Sequence, residues 1–235
     1  MFGGEKFVPL SSTQQGKKKI VIDGKPCTIF DSPDEDNSSR ICNQGSAFPD
    51  DGNGNGITGT CGCCACATII NKAGGNTSEK QVIMYATQNS LCSNRRDVSP
   101  SNRGGTSSSQ RCEILRGAGI DAHEENDTSI YDLAEKVESG YGVIIAVGAQ
   151  TYNEDWYGPY LPGNADGHAL VLESVIRDGL TGKIEGFYVI DSNGHSTKEC
   201  CVRVTARILE EAFRRRGREL GLKQGSAVVT SQIIW

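Results

Sequence analysis

The sequence is poor in the features that mark a nucleic-acid binder, a membrane protein or an aromatic core. Only 6% of its 235 residues are Phe, Trp or Tyr, so a buried core must be built from aliphatic side chains and cysteine. Basic excess is missing: 24 Lys and Arg stand against 29 Asp and Glu, a formal net charge of −5. That balance offers no cationic surface to release counterions from a phosphate backbone. Long apolar runs are missing too. The longest, GVIIAVGA at 142–149, falls far short of the ~20 residues that cross a bilayer. MFGGEKFVPLSS at the start has no apolar stretch of the kind a signal peptide carries. The expectation is a soluble, cytoplasmic chain with neither nucleic acid nor membrane as a partner.

Glycine and cysteine are abundant, at 29 and 10. Four of the cysteines crowd into CGCCAC (Cys61, Cys63, Cys64, Cys66) and the others are scattered. In a short secreted domain such a count would mean a disulfide framework. Here the chain is longer and carries no export signal, and the adjacent cysteines at 63–64 and 200–201 are poorly placed to bridge. Most are expected to be reduced thiols acting as small buried hydrophobes.

Length fits one full-sized domain. Residues 1–50 are polar and loop-like and read as an N-terminal extension with one strand, KKIVIDG (18–24), ahead of a catalytic domain over 51–235. DDGNGNGITGT (50–60) is a loop. CGCCACATIINKAGG reads as a helix from Cys61 to Lys72 closed by Gly74, and SEKQVIMYATQNSL (78–91) as one opened by a Ser78–Gln81 capping box. SSSQRCEILRG (107–117) and SIYDLAEKVESG (129–140) follow as further helices. The period then becomes extended: GVIIAVG (142–148) is a buried strand, and HALVLESVI (168–176) and GFYVIDS (186–192) flank an Asp178-Gly179 hairpin signal. TARILEEAFRRRG (205–217) is an amphipathic helix and SAVVTSQIIW (226–235) a last strand. Helices first and an antiparallel sheet after them make an α+β arrangement.

Cys61, His168 and Asp191 form the strongest chemical constellation. The start of a helix lowers a thiol's pKa, and Cys61 is the first residue of its helix, after an exposing Gly/Thr loop. A histidine must take the thiol proton, and a third group must fix the imidazole. The hairpin supplies that pair. A turn centred between Gly179 and Leu180 sets His168 directly opposite Asp191. A centre between Leu180 and Thr181 keeps them on one face as diagonal neighbours, whereas half that shift would part them.

TCGCCACATIINKAGG resembles the Cys-bearing helix of the papain-like cysteine peptidase superfamily, and is most similar to the double-glycine leader peptidases. DGHALVLESVIRDGLTGKIEGFYVIDSNG resembles that superfamily's His strand, hairpin and Asp/Asn strand, and the ensemble resembles bacterial papain-like toxin or effector domains. The likeness spans roughly residues 56–235. It implies an α+β papain-like fold, a helical half carrying the Cys packed on a twisted antiparallel sheet, and a Cys61-His168-Asp191 triad that hydrolyses a protein substrate without cofactor or metal. It also implies delivery into a target cell by a specialised secretion system and a cognate immunity or inhibitor protein as partner. GTCGCC also fits the Gly-x-Cys-Gly-x-Cys pattern, which makes Cys64 the alternative nucleophile; the distance to Gly74 favours Cys61. The family's oxyanion Gln, some six residues before the Cys, has no counterpart. Asn55 stands six before Cys61, Thr58 six before Cys64, and Gln44 is a longer-range candidate.

Other readings compete. The same triad suits a glutamine deamidase or amidase. CxCCxC with Cys200 and Cys201 offers a zinc or redox module, although four thiols along one helix do not share a face. GNGITG (54–59) follows no strand and so is a poor dinucleotide loop. DGNGNG (51–56) begins like a calcium loop but has Gly62 where the bidentate Glu belongs. RRRGR (214–218) suits a helix C-terminus. His123 and His195 are loop residues without an indicated partner, and Trp156, Tyr157 and Tyr160 line a cleft or pack as a lid.

Overall fold

The computed structural model describes residues 17–30, 42, 44–93, 97–148, 167–193 and 201–234. Four helices and three strands fill the first part: β1 (Lys17–Ile22), β2 (Lys25–Phe30), α1 (Cys61–Lys72), α2 (Glu79–Gln88), α3 (Ser108–Gly117), β3 (Ala122–Thr128) and α4 (Ile130–Glu138). Then come β4 (Tyr141–Val147), β5 (His168–Asp178), β6 (Ile184–Ile190), β7 (Cys201–Thr205), α5 (Ala206–Glu219) and β8 (Gly225–Ile233). Among the described residues no helix is long and apolar enough to cross a membrane.

Among the described residues all the strand pairs are antiparallel, and β5 is the spine. One edge of β5 takes β4 along His168–Leu172 and β2 along Val175–Asp178; the other edge takes β6, which continues to β7. Beyond β4 lie β8 and β3. The strict two-residue period divides the core. Ile144, Ala169, Val171, Ile190 and Val228 face α1–α3 with Ile69, Val82 and Leu115. Val143, Ile145, Leu170, Leu172 and Val189 face α4 and α5 with Leu133 and Phe213. Each such aliphatic side chain, fully buried, contributes roughly 1.5–3 kcal/mol, so both helical layers are held mainly by Ile, Val and Leu.

Three features depart from the sequence reading. The extension is a two-stranded hairpin rather than one strand, and β2 joins the main sheet through β5. Its turn is Asp23-Gly24, both left-handed at φ 52° and 78°, as a two-residue primed turn requires. The strands β3 and β7 were not expected; β3 (AHEENDT) is an edge strand with mostly exposed side chains, so it carries no apolar signature. Third, the β5–β6 turn is not built on Asp178-Gly179. Asp178 Oδ1 accepts from the N–H groups of Leu180 (3.0 Å) and Thr181 (2.6 Å), and the left-handed residue is Gly182 at φ 71°. The hairpin therefore centres between Leu180 and Thr181. One extra residue on β5 (Glu173) and one on β6 (Glu185) shift the register and shift it back, so Val171 pairs with Ile190 and His168 and Asp191 are diagonal neighbours.

Candidate active site

The first residue of β5, the residue just past β6 and the start of α1 meet at one end of the sheet. His168 Nε2 lies 2.7 Å from Asp191 Oδ1, and Cys61 stands beside the imidazole, close enough for the ring to lower its thiol. With Nε2 on the carboxylate, Nδ1 is the nitrogen left for sulfur. Asp191 is fully buried and the His168 side chain 9% exposed, so the pair is shielded from water. Oδ1 also accepts from the N–H of Asn193 at 2.8 Å, which fixes the carboxylate after the strand has ended.

The electrostatics are mutual. Burial pushes the Cys61 thiol up, but the hydrogen bond and charge of His168, with smaller help from the Ala169 N–H and Arg111, bring it net below its ordinary value. Burial disfavours the charged ring of His168, yet Asp191 first and Cys61 second raise it to about 10. Both shifts favour a thiolate–imidazolium pair.

The helix start is shaped for the same charge. Thr60 is the N-cap of α1 but its side chain caps nothing. Instead Thr60 Oγ1 bonds Glu79 at 2.5 Å and receives the Gly45 N–H at 3.1 Å. The first N–H groups of α1 are therefore not closed off by the cap residue, and they leave partial positive charge beside Cys61. The loop 104–108 packs on this turn so tightly that a Cβ on Gly62 would lie 1.9 Å from Thr106 Oγ1.

A cavity of about 710 Å³ opens here, lined among others by Gln44, Cys61, Thr106, Arg111, His168 and Ala169. Gln44 donates Nε2 to the Thr58 carbonyl at 2.9 Å, and its N–H bonds the carbonyl of Ser192, next to Asp191, at 2.8 Å. Asn55, the position favoured by spacing, is elsewhere: it is exposed, does not line the cavity, and gives its amide to Asp51 at 2.9 Å. The Gly/Asn-rich loop between Gln44 and Cys61 carries Asn55 away from the cavity, and the amide that lines it is that of Gln44. Cys64 is fully buried, faces Thr60 with Sγ 4.0 Å from Oγ1, and is pushed well above the ordinary thiol range by burial and by Glu79. The structure thus joins Cys61, and not Cys64, to His168 and Asp191.

His123 is exposed with Nε2 3.3 Å from Glu125. Trp156, Tyr157, Tyr160, His195 and Cys200 lie outside the described residues, among which no group of three or more His, Cys, Asp or Glu is placed to hold a metal ion.

No family model matches the sequence, and no curated protein does. Among solved structures the chain is similar to the crystal structure of a candidate C39-like peptidase from Bacillus anthracis, at 16% sequence identity and a TM-score of 0.53. The match covers 83% of this chain and 96% of that chain. At that identity the likeness is one of architecture: the protein has the α+β, papain-like fold.

Proposed function

We propose that the protein is a papain-like cysteine peptidase with Cys61 as nucleophile, His168 as proton shuttle and Asp191 as the group that orients the ring. The observation that carries this reading is the imidazole fixed by the buried Asp191 carboxylate at 2.7 Å in the cavity that Cys61 also lines. The thiolate attacks a peptide carbonyl, and the imidazolium gives its proton to the leaving amine, which departs. Neutral His168 then draws a proton from water, and the hydroxide so formed releases the acyl group from sulfur. The oxyanion of each tetrahedral intermediate is stabilised by the N–H groups at the start of α1 and by the amide of Gln44. What supports a protein substrate, a toxin or effector role and a cognate inhibitor is the sequence resemblance of the Cys helix and His hairpin.

Iodoacetamide labelling at mildly acidic pH, mapped by peptide, tests the nucleophile. Label is expected at Cys61. Mapping is needed because the buried Cys92 is also drawn down, to about 6, by its hydrogen bond with Cys63. Label at Cys64, or at Cys92 with Cys61 untouched, overturns the assignment. Mass spectrometry of an unfolded protein incubated with the enzyme is expected to show backbone cleavage that is lost in Cys61→Ala; deamidation with the backbone whole would favour the amidase instead.

A further inference from the structure

Arg111 lines the cavity beside Cys61 and has no part in the acyl transfer just described. It belongs to α3 and is only 4% exposed. Its stem packs on the start of α1: a Cβ on Gly62, the residue after Cys61, would stand 3.3 Å from Arg111 Cδ. Nη1 donates to the Thr106 carbonyl at 3.2 Å and Nη2 to Ser108 Oγ at 2.8 Å. Both acceptors are neutral, so they fix the guanidinium without balancing its charge. Among the described residues no carboxylate lies in ion-pair distance of it.

The titratable groups that face Arg111 are Cys61 and Cys66 from α1, Cys112 from α3 and Glu124 from β3. Burial pushes the thiols of Cys66 and Cys112 up to about 12 and about 11, so both are neutral. Glu124 is exposed, and water weakens its attraction. Cys64, next along α1, is likewise kept a neutral thiol by burial and by Glu79. Arg216, the other cation on the lining, is paired with Glu219 at 2.9 Å. The sulfur of Cys61 is thus the buried group left to balance Arg111.

A buried charge is costly without an opposite one. Asp191, fully buried, faces the ring of His168, and Arg111 faces the turn that bears Cys61. Between them a thiol and an imidazole share one proton. With that proton on sulfur, Asp191 and Arg111 are two bare buried charges. With it on nitrogen, the four groups make two opposite pairs, Asp191 with His168 and Cys61 with Arg111. We propose that Arg111 is a positioning residue for the reaction, whose buried guanidinium holds the Cys61 sulfur as the thiolate before substrate arrives. The proposal rests on the peptidase reading, whose nucleophile it charges.

The pH profile of iodoacetamide labelling at Cys61, followed by peptide mapping on the intact protein, tests it. Only the thiolate reacts, so the rate climbs through the midpoint of the thiol to a plateau. In Arg111→Met the midpoint is expected to move to higher pH. The rate below the wild-type midpoint should fall about tenfold with the plateau kept, the effect of one nearby opposite charge. A purely structural role would lower the rate at every pH and leave the midpoint in place; that result overturns the proposal. Should Arg111→Met fail to fold, the wild type decides. With its arginines labelled with nitrogen-15, the Arg111 Nε–H resonance is expected to shift with the Cys61 midpoint. That step should vanish once mapping shows Cys61 capped by methyl methanethiosulfonate, which forms an S–S bond from the thiolate to the methylthio group and expels methanesulfinate. A resonance with no such step, or one that keeps it after capping, overturns the proposal. If Cys61 of the wild type labels at no pH, the peptidase reading itself fails and the role of Arg111 with it; labelling with an unmoved midpoint removes Arg111 alone.

Discussion

Asp191 Oδ1 serves two donors at once, His168 Nε2 at 2.7 Å and the Asn193 N–H at 2.8 Å, with no solvent to replace either. Asp191→Ala leaves the imidazole free to turn and without its counter-charge. The expected result is a loss of at least about a hundredfold in kcat/KM, the scale of general acid–base assistance, measured on any peptide the wild type cleaves. The paired shifts of Cys61 and His168 give a second prediction, on stability. His168 is raised on folding from 6.5 to about 10, so its contribution is whole below 6.5 and lost as pH climbs to about 10. Cys61 is lowered from 9.0, so its contribution is present above 9.0 and lost as pH falls through the folded value. Below 9.0 the lowered thiol, and above 6.5 the raised ring, give slopes of opposite sign, because folding there moves a proton from sulfur toward nitrogen. The difference in unfolding free energy between wild type and Cys61→Ala is therefore expected to change with pH across that window, at up to about 1.4 kcal/mol per pH unit. Urea titrations at several pH values measure it; a constant difference would mean that the thiol and ring do not exchange a proton on folding.

At the scale of elements, the start of α1 is held by the start of α2. Glu79, the first residue of α2, is buried. Oε1 accepts from Gly45 N–H (2.6 Å) and Thr60 Oγ1 (2.5 Å), and Oε2 from Ser46 Oγ and Ala47 N–H (both 2.8 Å). One carboxylate thus ties the Gln44 loop to the residue that precedes Cys61. Glu79→Gln keeps the shape but turns an NH2 group toward a backbone N–H whichever way the amide lies. It is expected to cost at least about 2 kcal/mol, or about 4–8 °C in a chain of this size, and to slow iodoacetamide labelling of Cys61; calorimetry and the labelling rate check both. This contact could not be read from sequence, since nothing in the order of residues links position 79 to positions 45 and 60. What could be read was local. The Ser78–Gln81 capping box and the helix from Cys61 to Lys72 are where the pattern puts them. The Asp23-Gly24 turn was equally legible, but the polar residues around it hid the second strand.

At the scale of the molecule, uninterrupted aliphatic runs were enough to indicate a central sheet, because β4 over Val143–Val147 and β5 over Ala169–Leu172 face a helical layer on both sides and are apolar throughout. The exceptions are more informative. Glu173 is the extra residue of the β5 bulge, and a bulge re-aims a side chain. It turns to Lys72 at the end of α1, where a cation also suits the helix dipole, and the two form an ion pair with side chains 7% and 6% exposed. Glu173 Oε2 has no hydrogen-bond partner. The pair links the Cys-bearing layer to the spine of the sheet at the end of α1 opposite Cys61. Its worth lies in being complete: removing one partner leaves a bare buried charge, at about 3–5 kcal/mol, whereas replacing both with apolar groups is often neutral or better. Lys72→Met is therefore expected to lower the urea-unfolding free energy by about 3–5 kcal/mol, and Lys72→Met with Glu173→Leu to recover most of that loss. Since α1 carries Cys61 at its far end, the single variant should also label more slowly with iodoacetamide and the double variant regain the wild-type rate. Additive losses in the double variant would mean that the sheet and the Cys helix are joined by apolar packing alone.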